Sequence, residues 1–252
     1  MEYKFISKAL FILTLVGLST VAFAAPTRAD ENLTRQALIY KGPGSCEEDC
    51  SESAVEIAKL AGFEPVFVAP DMVDPAIFAN AAVWIQPGGK SSTVAKTMAP
   101  ILKQNLRDFI AAGGGYVGFC AGGFFATALI GSTGNEGLGI LPGSSALLES
   151  DKDAIMVEVT WGTSTRSLYW EGGPFFKFTQ DDPVEVTATY ADGTVASARS
   201  SYGLGRVYVT GPHPEAPQYW RDYFELEDAD GLDSDLAAEM VTWAAAAPSY
   251  VK

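Results

Sequence analysis

Apolar residues cluster in solid blocks through the first half of this chain, and the blocks alternate with segments of helical spacing. Gln36-Ala37-Leu38-Ile39-Tyr40, Pro65-Val66-Phe67-Val68 and Ala81-Ala82-Val83-Trp84-Ile85 are nearly continuous apolar runs, as expected of strands buried on both faces. Between the first two, Ser51 to Ala61 places Ala54, Val55, Ala58 and Leu60 at helical intervals and stops at Gly62. A further helix is predicted from about Thr93 to Ala112, closed by Gly113-Gly114-Gly115, and Gly115-Tyr116-Val117-Gly118-Phe119 reads as a fourth strand. From Ser144 the pattern changes to short strands divided by turns such as Ala191-Asp192-Gly193. They are Ala154 to Trp161, Arg166 to Trp170, Val184 to Tyr190, Thr194 to Ser200 and Arg206 to Thr210. A last helix is predicted over Asp233 to Ala247. Strands alternating with helices predict an α/β domain with a mostly parallel sheet and helices on both faces, extended by antiparallel hairpins in the C-terminal half. Sites in such sheets form at the carboxyl ends of the strands, where loops 42–45, 87–89 and 119–123 are expected.

The last of those loops carries the strongest chemistry. Cys120 sits between Gly118 and Gly122-Gly123, after a strand and before a helix. This is the pattern of a nucleophile elbow, in which glycines let the chain turn sharply under the reactive group. A helix N-terminus below Cys120 would favour thiolate over thiol. The only histidine of the chain lies 93 residues on, in His213-Pro214-Glu215. In extended backbone, residues two apart share a face, so Glu215 can orient the imidazole while the imidazole faces the thiol. The competing reading is a buried structural cysteine and a loop histidine.

Composition narrows the setting. Lys4 and Lys8 precede an apolar run from Ala9 to Phe23, and Ala22-Phe23-Ala24 fits a small-x-small cleavage site. Residues 1–24 are therefore expected to be an export signal rather than a membrane span, leaving one domain over 25–252 in the periplasm or medium. Removing Glu2, Lys4 and Lys8 takes the net charge from −14 to −15. Such acidity argues against nucleic acid as a partner, and no membrane association is expected after cleavage. In an oxidising compartment Cys46 and Cys50, four apart, can close a small disulfide, which leaves Cys120 as the free thiol. Metal binding at that pair has little support, with no histidine nearby and no second cysteine pair; no metal or cofactor is expected.

The motifs together resemble the class I glutamine amidotransferase-like superfamily, and within it the amidotransferase-like domain at the N-terminus of biotin–protein ligases and in exported bacterial proteins. The segments that carry the likeness are Tyr40-Lys41-Gly42-Pro43-Gly44-Ser45, Pro87-Gly88-Gly89 and Gly114 to Gly123, then Leu168-Tyr169-Trp170-Glu171-Gly172-Gly173-Pro174. Gly203-Leu204-Gly205-Arg206-Val207 and Gly211-Pro212-His213-Pro214-Glu215 complete them. The resemblance implies a flavodoxin-like layered sheet, Cys120 as nucleophile, His213 as base and Glu215 as its orienter. It also implies an oxyanion hole from backbone amides near Gly89 and Ala121. Glutamine-hydrolysing members carry Gln four residues after the cysteine; Phe124 stands there in this chain, so glutamine amide transfer is not expected. Gly88 and Gly89 read either as oxyanion-hole residues or as a strand terminus. Ser45 reads as a donor to substrate or as turn chemistry, and Glu171 as a pocket group for a substrate amine or hydroxyl or as a turn carboxylate. The function expected is a cysteine hydrolase acting on an amide or acyl bond of a small or peptide-like substrate. The alternative is a non-catalytic binding or regulatory module. The oligomeric state is left open.

Overall fold

The computed structural model describes residues 35–46, 49–148, 150–151 and 153–246. The expected export signal at 1–24 lies outside the described residues. In chain order the first elements are β1 (Gln36–Tyr40), α1 (Cys50–Leu60), β2 (Glu64–Val68), a 3-10 turn (Pro75–Phe78) and β3 (Ala81–Gln86). Next come α2 (Ser91–Thr97), α3 (Pro100–Ala111), β4 (Gly115–Phe119) and α4 (Ala121–Ala126). The C-terminal half holds β5 (Ser144–Leu147), β6 (Ile155–Trp161), β7 (Ser164–Trp170), β8 (Pro174–Lys177), β9 (Val184–Tyr190), β10 (Val195–Tyr202) and β11 (Gly205–Thr210). Two helices, α5 (Gln218–Tyr223) and α6 (Ser234–Ala245), end it.

One sheet carries the molecule, in the order β2-β1-β3-β4-β11-β10-β9-β6-β7, with β8 on β10 and β5 on β8 beside that path. The pairs from β2 through β1, β3 and β4 to β11 are parallel; those beyond β11 are antiparallel. In β1, β3 and β4 the solid apolar blocks have the cause inferred from them, whereas β2, at the edge of the sheet, buries only Val68. Along β1, Ala37 and Ile39 enter the core shared with α1 and α6, while Leu38 and Tyr40 enter the core shared with α2, α3 and α4. With both faces covered, only Gln36, at the partly exposed start of the strand, is polar.

Two expectations need correction. The single helix from Thr93 to Ala112 is two helices, α2 and α3, because Pro100 holds the residue before it away from helical backbone: Met98 and Ala99 are extended, with ψ of 123° and 137°. On α3, Leu102, Leu106 and Ile110, four residues apart, form its buried stripe. The last short strand, expected among the hairpins, is β11, and it is the junction of the sheet. Its hairpin partner is β10, but its other edge runs parallel to β4, with Val209 beside Gly118 and Thr210 beside Phe119. That register places the chain after Thr210 next to the chain after Phe119, and so brings residues 211–215 to the elbow.

Candidate functional site

Cys120 leaves β4 with φ 44° and ψ −101°, in the left-handed half of backbone space that costs a non-glycine residue energy and recurs at active sites. Its amide donates to the Thr210 carbonyl across the strand gap at 3.0 Å, and its carbonyl accepts from Gly123 and Phe124 as α4 begins. The Ala121 amide, at the first helical position, has no intrahelical acceptor. The flanking glycines are sterically required: a Cβ on Gly118 would lie 2.5 Å from the Gly122 backbone, and one on Gly122 would lie 2.3 Å from the Gln86 carbonyl. Cys120 is buried and unpaired, and its thiol donates to the Glu171 carbonyl at 3.6 Å.

The three candidate groups come together. His213 Nδ1 is 2.8 Å from Glu215 Oε1, both side chains buried, which leaves Nε2 for the thiol. The His213 amide donates to the Tyr169 carbonyl at 2.8 Å, and the imidazole meets the rings of Tyr169 and Trp220 edge-on at centroid distances of 5.8 and 5.5 Å. Burial alone would depress the imidazole pKa. The Glu215 carboxylate and the Cys120 sulfur, by charge and hydrogen bonding, overcome this and raise it well above the usual value.

Gly88 and Gly89 occupy the third side. A Cβ on Gly88 would stand 2.6 Å from His213 Cε1 and 3.2 Å from Cys50 Sγ, so the imidazole rests on a bare backbone. Gly89, with φ 124°, packs so tightly on the first loop that its Cβ would meet the Gly44 carbonyl at 2.3 Å. Ser45 bridges to Gly89, but its hydroxyl donates to the Gly42 carbonyl at 2.9 Å and accepts from the Gly42 amide at 3.2 Å. That hydroxyl is engaged in bracing its own loop. Cys46 and Cys50 form a disulfide with their Cα atoms 5.1 Å apart. Glu171 faces the site, its carboxylate accepting from the Tyr169 hydroxyl at 2.7 Å. Burial and then Glu171 push the Tyr169 pKa far above the usual phenol range, so that hydroxyl stays a donor.

These residues open on a cleft of about 960 Å³ lined by Ser45, Gly89, Cys120, Glu171, His213 and the disulfide. Helix α5 with Phe224 adds a row of aromatic residues at 219, 220, 223 and 224 to the lining. No motif or spacing in the sequence marks these rings as part of a site. Their one signal was the density of rings in Tyr219-Trp220-Arg221-Asp222-Tyr223-Phe224, just after the histidine. Among the described residues no group of three or more His, Cys, Asp or Glu side chains could hold a metal ion, and no helix is long and apolar enough to cross a membrane.

Comparison with known proteins agrees with the resemblance carried by the motifs. Residues 35–140 match the family model described as biotin–protein ligase, N-terminal. A biotin–protein ligase of Schizosaccharomyces pombe is 26% identical over 163 residues, which cover 54% of this chain and 26% of that protein. The chain thus spans about a quarter of the length of that relative. A solved glutamine amidotransferase superposes with a TM-score of 0.57 at 19% identity, over 74% of this chain and 97% of its own. A cytoplasmic protein from Salmonella typhimurium superposes with a TM-score of 0.53 at 12% identity, over 83% and 98%. These structural likenesses show the α/β fold. The matched family region contains Cys120 and stops before His213 and Glu215.

Proposed function

We propose that this chain, which carries the biotin–protein ligase N-terminal family region on a glutamine amidotransferase-like fold, is a cysteine-dependent hydrolase of amide or related acyl bonds. The observation that carries the proposal is the buried His213–Glu215 pair at 2.8 Å beside a cysteine on a left-handed elbow. A buried imidazole with a raised pKa can take the thiol proton, and Glu215 stabilises the imidazolium that forms. The thiolate of Cys120 adds to the substrate carbonyl carbon, and the developing oxyanion is met by backbone N–H groups of Ala121 and the Gly88–Gly89 turn. His213 returns its proton to the amine nitrogen, the C–N bond breaks, and the acyl group stays on sulfur. Water then attacks with His213 as base, the C–S bond breaks, and an acid and the free thiol are released.

Phe124, where glutamine-hydrolysing relatives of the superfamily carry Gln, argues for a substrate other than glutamine. An exported location suits the Cys46–Cys50 disulfide, since such bonds persist in oxidising compartments. The second reading, a binding module that turns nothing over, draws on the thiol's hydrogen bond to the Glu171 carbonyl, which holds its proton away from the base. A panel of amide and peptide substrates, run with the wild type and Cys120→Ala, separates the two. The hydrolase reading expects amine release that falls at least about a thousandfold in the variant; equal rates across the panel would leave the binding module.

A further inference from the structure

The cleft in front of Cys120 is acidic as well as aromatic. Its described lining includes three carboxylates, Asp49, Glu171 and Asp222, against Lys90 and the His213 imidazole, whose raised pKa favours its charged form. Each carboxylate is oriented by a neutral donor. The Tyr219 hydroxyl reaches Asp49 at 2.8 Å, the Tyr169 hydroxyl reaches Glu171 at 2.7 Å, and the Gln218 amide reaches Asp222 at 2.9 Å. None of the three has a cationic partner among the described residues, although elsewhere the chain pairs Glu52 with Lys41, Glu56 with Lys59 and Glu185 with Arg199. Neutral donors fix a carboxylate without cancelling its charge, and in a cleft with low-dielectric walls that charge reaches further than on an open surface. The rings in the same cavity act in the same direction. Tyr219 is 50% exposed and Tyr223 80% exposed, and electron-rich aromatic faces left open to a cleft attract organic cations.

We propose that the cleft selects a substrate bearing an organic cation, a primary amine or guanidinium, beyond the carbonyl that meets Cys120, as in an amide of a basic amino acid. The inference rests on the hydrolase reading only in placing the reacting carbonyl at Cys120. The preference for positive charge is a property of the cleft whether or not turnover occurs, and it can be measured on the thiol itself.

Three thiol reagents of similar length test it: the 2-aminoethyl, n-propyl and 2-sulfonatoethyl methanethiosulfonates, positive, neutral and negative. In each case the Cys120 thiolate attacks the sulfenyl sulfur, a mixed disulfide forms, and methanesulfinate leaves. Rates are read by mass spectrometry and normalised to those of free glutathione. The cation should outpace the anion by about tenfold or more at low ionic strength, and the ratio should shrink toward one as salt is added. Glu171→Gln and Asp222→Asn should each lower the ratio, and the salt series on the wild type decides the matter if either variant fails to fold. A wild-type ratio at or below one, with Cys120 still reactive, overturns the cation proposal and leaves the hydrolase reading intact. Reactivity that ignores His213→Ala overturns the hydrolase reading and leaves the charge ratio standing.

Discussion

His213 and Glu215 open on a cleft; Arg221, Asp228 and Asp233, which follow them closely in sequence, face one another. The first group is a pair whose second carboxylate oxygen, Glu215 Oε2, is buried with no hydrogen-bond partner, and whose imidazole borders a free thiol. In the second, the fully buried Arg221 guanidinium donates from Nε to Asp228, from Nη1 to the Ala216 carbonyl at 2.8 Å and from Nη2 to Asp233 at 3.3 Å. Arg166 closes the other side, 2.9 Å from both Asp233 and Asp235. Both groups take charge out of water, which costs stability unless partners are excellent. Where every donor finds an acceptor the result is architecture: the Arg221 network pins α5, and with it the aromatic row, to β7 and the start of α6. Where an atom is left unsatisfied near a free thiol, the cost is not offset by architecture, and the proposed chemistry gives it a use.

That contrast is broken most severely at Arg221. Arg221→Ala leaves Asp228 and Asp233 buried with one cation fewer between them, so unfolding free energy from urea titration should fall by about 3–5 kcal/mol. A loss under about 1 kcal/mol would mean that the network behaves as a surface pair and does not hold α5. A smaller and more local break is Gly88→Ala. The new methyl would meet His213 Cε1 at 2.6 Å and Cys50 Sγ at 3.2 Å, so the ring must shift, at about 1–3 kcal/mol of overpacking. Alkylation of Cys120 by iodoacetamide should slow in this variant by more than its stability loss accounts for, because under the hydrolase reading the displaced imidazole is the thiol's base. Unchanged alkylation would show that the imidazole position has no bearing on the thiol.

The sequence showed the parallel block because its strands are runs of consecutive apolar residues, with polar ones only at their ends, a local signal that needs no knowledge of neighbours. It showed Cys120 and His213 for similar reasons: the elbow glycines and the single histidine are marks of composition. What it hid depends on distant partners. The parallel pairing of β11 with β4 cannot be read from Gly205 to Thr210, since the same residues also make a sound hairpin with β10. The break between α2 and α3 is marked in the sequence by Pro100 alone, within apolar spacing that continues on either side. Strand β5, Ser-Ser-Ala-Leu, and helix α5, six residues long, are too short for a period to declare itself. Gly88 was read as a strand end or an oxyanion residue. Its contact with His213, 125 residues on, exists only once β11 is in the sheet.

The gentlest test compares the two groups through pH. The His213 pKa is raised in the folded protein, so the native state binds that proton more tightly than the unfolded chain, where a histidine titrates near 6.5. The resulting stability is fully present below about pH 6.5 and is lost as pH rises through the folded value. The slope can reach but not exceed about 1.4 kcal/mol per pH unit for one group. Glu215→Gln replaces the carboxylate that favours the imidazolium with a neutral amide of the same shape, so it should flatten this part of the curve while leaving the imidazole in place. In the other group the arginines stay charged, but burial pushes the Asp233 carboxyl up to about 7. It therefore adds a slope of the same sign in the lower part of this range, equal in the wild type and Glu215→Gln, and cancels in their difference. Unfolding free energy measured from pH 6 to 9 for the wild type and Glu215→Gln should therefore give two curves that converge as pH rises. Parallel curves would mean that Glu215 positions the ring without holding its charge, and that Cys120 lacks the imidazolium that the hydrolase reading requires.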